Sequence, residues 1–199
     1  QKIPMPAEGL ELYAKWTELG PIYYQQADSI EDGGTYLIVA RTGSGSYAYY
    51  ALTNEVKSTS FLAGETVTVS GGYVTSPVDE SMLWTFITAT SGKYDVKNGD
   101  DFLLRRSGGS KAGVEIDATD SGAAYSDWAY DGGTYALTVG ASSTYYLYYS
   151  TSDQYFNCSS STGDKGTIYL YKQINDSVEP GDSQTITYDA NGGTGNTES

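Results

Sequence analysis

The sequence predicts an all-β protein, and three observations lead to this fold class. Tyrosine supplies 20 of the 199 residues whereas phenylalanine supplies 4, and tyrosine is enriched in strands. Glycine, serine and threonine separate short apolar runs, as they do in turns. No window repeats apolar residues with a helical period for three turns, and the best helical candidate, residues 7–16, is short and contains Gly9.

An internal repeat predicts how the strands are organised. Tyr94-Asp95-Val96 is followed 34 residues later by Trp128-Ala129-Tyr130, and Tyr135-Ala136-Leu137 is followed 34 residues later by Tyr169-Leu170-Tyr171. The two units are 41 residues apart, so we treat them as the second and third copies of one structural unit.

The first copy is longer. It opens at Tyr36 and closes at Trp84, 48 residues later, so it must contain an insertion of about 14 residues. The segments 47–50 and 59–64 are the predicted places for this insertion because they interrupt the strand pattern.

Each unit is predicted to contain four short strands. In the second unit they cover 93–97, 102–105, 113–116 and 127–130, and in the third they cover 134–139, 145–149, 155–157 and 168–171. Alternation along a strand places Tyr94 with Val96, and Tyr135 with Leu137, on one face, which should be the core.

Three such units predict a closed pseudo-threefold barrel, since closure removes exposed strand edges. From 35 to 172 the pattern resembles the β-trefoil fold of ricin-type lectin domains, with a closing aromatic residue where those units carry Gln-x-Trp. The glutamine is missing, because Met82, Ser126 and Thr167 stand at its positions. The resemblance therefore implies a β-trefoil-like architecture more than lectin activity. An irregular β-sandwich is the alternative.

The two ends resemble pieces of another repeat. The segment 5–16 is similar to the last strand of a Listeria-Bacteroides (internalin-type B) repeat, and 184–195 is similar to its first strand and turn. We therefore expect three parts, with boundaries at 1–17, 18–182 and 183–199, and short terminal strands contributed by the flanking repeats. The resemblance implies an extracellular location, on a bacterial cell surface or secreted, for a monomeric domain within a longer chain.

Charge and composition exclude several classes of function. The net charge is -14, from 25 acidic and 11 basic residues, which disfavours nucleic acid and anionic membrane surfaces as partners. No window is apolar enough for membrane insertion. The chain has no histidine, which removes the Ser-His-Asp and Cys-His nucleophilic mechanisms, and its single cysteine, Cys158, is predicted to be buried.

Carboxylates are the remaining candidates for chemistry. The pairs Asp100 with Asp101, Glu115 with Asp117, and Asp127 with Asp131 are compatible with an acid-pair glycosidase, although nothing in the sequence marks a cleft. The acidic loops 95–101 and 117–122 offer oxygen ligands but do not match the spacing of a calcium loop. We expect no catalytic residue, no metal site and no cofactor.

Tyrosines exceed what a core needs. In the strand 145–149, Leu147 is expected to point inward, which sends Tyr146 and Tyr148 outward, and the glycine- and serine-rich segment before Tyr47 and Tyr49 adds aromatic surface. Such surfaces are typical of ligand-binding sites, although cross-strand packing of tyrosines is the simpler alternative. The predicted ligand-binding residues are Tyr47, Tyr49, Tyr146 and Tyr148.

The sequence thus predicts a non-catalytic, adhesin-like binding module. Its expected partner is a host macromolecule, either a protein such as an immunoglobulin or a glycan. The alternative function is a structural spacer in a surface stalk.

Overall fold

The computed structural model describes residues 19–106, 111–132, 136–140, 142–161 and 166–177. The chain divides into two units, of which Ile22–Ile174 is described almost completely. The other unit consists of Gln1–Pro21 and Asn175–Ser199, and most of it lies outside the described residues. The predicted terminal repeat pieces, 1–17 and 183–199, fall there and remain predictions.

The predicted all-β class is confirmed. The described residues form sixteen strands joined in one antiparallel sheet, together with a single 3-10 turn at Glu80–Met82. None of these residues forms a helix long and apolar enough to cross a membrane. The strands are β1 (Leu19–Ala27), β2 (Gly34–Thr42), β3 (Ala48–Ser58), β4 (Phe61–Val67), β5 (Val69–Ser70), β6 (Tyr73–Val74), β7 (Trp84–Thr90), β8 (Lys93–Asn98), β9 (Asp101–Arg105), β10 (Lys111–Ala112), β11 (Val114–Asp117), β12 (Asp127–Tyr130), β13 (Leu137–Val139), β14 (Tyr145–Ser150), β15 (Tyr155–Ser159) and β16 (Thr167–Ser177).

The same pattern of strand pairing recurs along the chain. In repeat one β2 pairs with β3, β3 with β4, and β2 with β7. In repeat two β8 pairs with β9, β9 with β11, and β8 with β12. In repeat three β13 pairs with β14 and β14 with β15.

Each repeat also pairs with the next one. The closing strands β7 and β12 pair with the following opening strands β8 and β13, and β16 pairs with β2. The strands predicted for repeat two match the observed strands to within one residue at each end. In repeat three, β16 continues to Ser177, beyond the predicted end at 171.

Tyrosine and tryptophan occupy equivalent core positions in the first two repeats. Tyr36 lies opposite Trp84, and Tyr94 lies opposite Trp128. Tyr36 and both tryptophans are fully buried, and Tyr94 packs against the same core cluster. The repeat alignment of these four residues is therefore confirmed. Tyr135, their predicted counterpart in repeat three, lies outside the described residues.

The two indoles make the same hydrogen bond in their own repeats. Trp84 Nε1 donates to the carbonyl oxygen of Leu52 at 3.0 Å, and Trp128 Nε1 donates to that of Leu103 at 2.7 Å. Both acceptors lie on the second strand of a repeat, so each indole ties the closing strand to the hairpin of its repeat. A buried indole N–H needs such a partner.

The predicted alignment of Tyr169 is wrong by one residue. Trp128 pairs with Val139 at one junction between repeats, and Ile168 pairs with Ala40 at the junction that returns to repeat one. Val139 and Ala40 both face the main core, so Ile168 corresponds to Trp128. A shift of one residue turns a strand over, and Tyr169 consequently faces a second apolar cluster on the other side.

The insertion in repeat one is only partly where the sequence places it. The long β2–β3 connection, which includes 47–50, belongs to it, as predicted. The segment 59–64 does not, because it contains only a short turn and the start of β4. The remainder lies between β4 and β7, where the β5–β6 hairpin brings Val74 and the following turn brings Met82 into the second apolar cluster.

The indole hydrogen bonds lead to a stability prediction. Trp84→Phe and Trp128→Phe should each lower the free energy of unfolding by about 1–3 kcal/mol, because a buried carbonyl loses its donor and the smaller ring leaves a void. Urea denaturation followed by far-ultraviolet circular dichroism measures the change. Tyr73→Phe, at a partly exposed ring, is the control and should stay within about 0.5 kcal/mol of wild type. Wild-type midpoints for both tryptophan variants would contradict the proposed role of the indoles.

Candidate functional site

A tyrosine–arginine cluster occupies one face of β2, β3 and β16. It consists of Arg41, Tyr47, Tyr49, Tyr169 and Tyr171. Alternation along β2 sends Ala40 to the main core and Val39 to the second apolar cluster, so Arg41 follows Val39 on the second face. Tyr49 lies directly opposite Arg41 on β3. Tyr49, Tyr169 and Tyr171 all belong to or pack against the second apolar cluster.

Arg41 lies between two tyrosine rings. Its guanidinium carbon is 4.6 Å from the ring centroid of Tyr47 and 5.1 Å from that of Tyr169. Both distances are in the range of a cation–π interaction. The two tyrosines thus hold the arginine from the β2–β3 turn on one side and from β16 on the other.

Exposure differs strongly within the cluster. Tyr47 is 53% exposed, Tyr49 and Tyr169 are partly buried, and Tyr171 is 1% exposed. Burial raises the pKa of Tyr171 to about 12, and the nearby positive charge of Arg41 opposes this rise. Tyr171 therefore supports the cluster from beneath, while Tyr47 presents an aromatic face to solvent.

A groove of about 640 Å³ lies next to this cluster in the chain. Its lining combines hydroxyl groups, glycines and two tyrosines, and none of the lining residues carries a carboxylate. Ser150 is held in place by donating a hydrogen bond to Asp153 Oδ2 at 2.7 Å. The lining residues are Thr42, Gly43, Ser44, Tyr148, Tyr149, Ser150, Thr151, Ser152 and Gly166.

The four predicted ligand-binding tyrosines differ in their surroundings. Tyr47 is exposed, Tyr49 is partly buried in the cluster, and Tyr146 is partly buried on β14. The expectation that Tyr148 is exposed is wrong, since it retains 9% of its exposure and lines the groove. Its partner on β15, Asn157, is buried as well.

The reason for the error at Tyr148 is that both faces of β14 are covered at this position. Alternation separates buried from exposed residues only where one face of a strand meets solvent. Sequence reasoning also missed Arg41 and Tyr169. The alternation Leu37-Ile38-Val39-Ala40-Arg41 is a signal that could have placed Arg41 outside the main core.

The closest carboxylate pair differs from the pairs predicted from spacing. Asp95 lies directly opposite Asp127 on neighbouring strands, and Asp127 is 7% exposed. Burial, followed by the negative charges of Asp120 and Asp127, raises the pKa of Asp95, whose Oδ1 has no hydrogen-bond partner among the described residues. Neither residue of the pair lines the groove.

The described residues contain no group of three side chains suited to hold a metal ion. In the acidic loop 117–122, Asp120 Oδ1 accepts hydrogen bonds from the Gly122 backbone at 2.7 Å and from Ser126 Oγ at 2.5 Å. These bonds lower the pKa of Asp120 and use its oxygen to shape the loop. Cys158 is fully buried, and its burial raises the pKa of the thiol, which keeps it protonated.

Comparison of the chain with protein-family models and with curated proteins finds no match.

The raised pKa of Asp95 predicts an unusual dependence of stability on pH. Because the folded protein binds this proton more tightly than the unfolded chain, the contribution of Asp95 to stability increases as the pH falls through the raised pKa, and ionisation at neutral pH destabilises the fold. Asp95→Asn should therefore raise the melting temperature at pH 7 and make it less dependent on pH in the acidic range above 3.8, the ordinary value.

Thermal melts at several pH values measure this effect. Asp100→Asn removes the same charge from an exposed turn and serves as the control. A lower melting temperature for Asp95→Asn at pH 7, with unchanged pH dependence, would show that the Asp95 carboxylate is stabilising.

Proposed function

We propose that the repeated strands form a β-trefoil-like pseudo-threefold barrel. The support is that each of the first two repeats pairs its opening strand with its closing strand, and that every closing strand pairs with the next opening strand. Contacts between hairpins add to this support, since Leu62 of β4 pairs with Phe156 of β15 and the Val114 backbone donates to the Ser60 carbonyl at 2.9 Å.

On this scaffold we propose a non-catalytic, adhesin-like binding module of a bacterial cell-surface protein. The observation that carries the proposal is the exposed Tyr47 ring stacked on Arg41, one residue before the start of the groove. An aromatic face that is already held by a neighbour loses little conformational entropy on binding, which is why such residues dominate many interfaces. The proposed partner is a host macromolecule, either a protein such as an immunoglobulin or a glycan.

An acid-pair glycosidase has less support. The groove has no carboxylate in its lining, and the Asp95–Asp127 pair is partly or fully buried within the sheet. Glycoside hydrolysis needs two carboxyl groups that face the substrate. A structural spacer is the remaining alternative, and it predicts that neither class of host partner binds.

The proposal is tested by titrating the chain with an immunoglobulin and with mucin glycans at two ionic strengths. One of the two should bind, and Tyr47→Ala should weaken binding by about tenfold or more, because a central aromatic anchor commonly contributes this much. Tyr73→Ala is the matched control, since Tyr73 is also a partly exposed tyrosine but belongs to the β5–β6 hairpin.

The salt dependence separates the two partner classes. A protein attracted by this acidic chain should carry basic charge and bind less well at high salt, whereas a neutral glycan that stacks on rings should be almost unaffected. Absence of binding to both would support the spacer. Equal loss in the Tyr47 and Tyr73 variants would show that the cluster is not the binding surface.

A further inference from the structure

Two arginines of this protein lie between tyrosine rings, and only one of them uses its hydrogen-bond donors. Arg105 lies 4.5 Å from the ring centroid of Tyr125 and 4.2 Å from that of Tyr145. It is 8% exposed, and its Nε and Nη2 atoms donate to the Ala124 carbonyl. Arg105 is thus a structural arginine whose charge is enclosed and partly satisfied.

Arg41 has the same aromatic environment without these bonds. Among the described residues, its guanidinium has no hydrogen-bond acceptor and no ion-pair partner; the two salt bridges found there involve Arg106 and Lys172. A ring face attracts the cation but does not take up its five N–H donors in ordinary hydrogen bonds. In a chain with 25 acidic residues, this guanidinium is kept clear of carboxylates. Its donors are therefore available to a ligand.

The groove begins next to Arg41. Thr42, Gly43 and Ser44 follow it directly and line the groove, and a Cβ atom on the lining residue Gly166 would stand 2.5 Å from the Arg41 carbonyl oxygen. The Arg41 backbone therefore borders a concave surface rich in hydroxyl groups. Hydroxyl groups and rings suit the neutral part of a sugar, and a planar guanidinium suits a carboxylate, which it can bind through two parallel hydrogen bonds.

We propose that Arg41, held by Tyr47 and Tyr169, binds the carboxylate of an acidic sugar whose hydroxyl groups enter the groove. This inference rests on the proposed binding function and narrows its ligand to a glycan with isolated carboxylates. The net charge of -14 repels dense polyanions, so the ligand carries one carboxylate on an otherwise neutral glycan. Sialic-acid-type and uronic-acid-type sugars share this chemistry.

The test is calorimetric titration of the whole chain with three probes. These are sialyllactose, a disaccharide that contains glucuronic acid, and lactose as the neutral reference. At least one acidic sugar should bind about tenfold more tightly than lactose, and the stronger of the two identifies the source of the carboxylate. Arg41→Gln should abolish this preference without changing the binding of lactose.

Two further variants keep the result interpretable. Arg41→Lys retains the charge but loses the planar pair of donors, so it should lose most of the preference even if Arg41→Gln folds poorly. Lys57→Gln removes one positive charge from an exposed position of β3 and should leave the preference unchanged.

Three results would overturn the inference. Equal binding of acidic and neutral sugars, or an unchanged preference in Arg41→Gln, would remove the carboxylate site and leave the binding module standing. Binding of a glutamate-rich peptide through Arg41, without binding of the sugars, would assign the arginine to a protein partner. Binding of neither sugars nor host proteins would overturn the proposed function as well.

Discussion

The fold depends on strand pairing between successive repeats. A four-stranded repeat of about 40 residues cannot satisfy the edge of its opening strand or bury its apolar face alone. The closing strand of each repeat meets both needs, because it pairs with the next opening strand and brings a large core side chain to the junction. The only cysteine of the chain is free, so no intramolecular disulfide assists this arrangement.

The pairing of β16 with β2 has a second consequence, because it creates the candidate site. β2 carries core residues on both faces, with Ile38 in the main cluster and Val39 in the second. The second face is covered by the insertion of repeat one near Met82 and remains more open near Arg41, at the other end of the strand. The insertion thus covers one end of this face with apolar residues and leaves the other end to the tyrosine–arginine cluster.

Glycine positions reinforce this packing at the hairpins. Any side chain on Gly64 would approach the rings of Tyr149 and Phe156 to within 3 Å, in a place where repeats two and three carry Ile116 and Cys158. The absence of a side chain at Gly64 lets the Tyr149 ring stack on that of Tyr50, with centroids 4.2 Å apart. The three repeats therefore share a pairing pattern but not one set of core side chains.

The sequence by itself determined the all-β class, the four-strand repeats and the equivalence of Trp84 with Trp128. These features follow from local alternation and from spacing, which a single chain displays directly. Local patterns could not determine the facing of Tyr169, since Ile168 and Tyr169 are both apolar enough for a core and only the register with β2 selects between them. Likewise, only the tertiary structure decided that Tyr148 is buried while Tyr47 is exposed, because neighbouring elements cover the second face of β14. The position of Arg41 between rings from β16 and the β2–β3 turn was also decided by tertiary structure, since it joins residues more than a hundred positions apart in the chain.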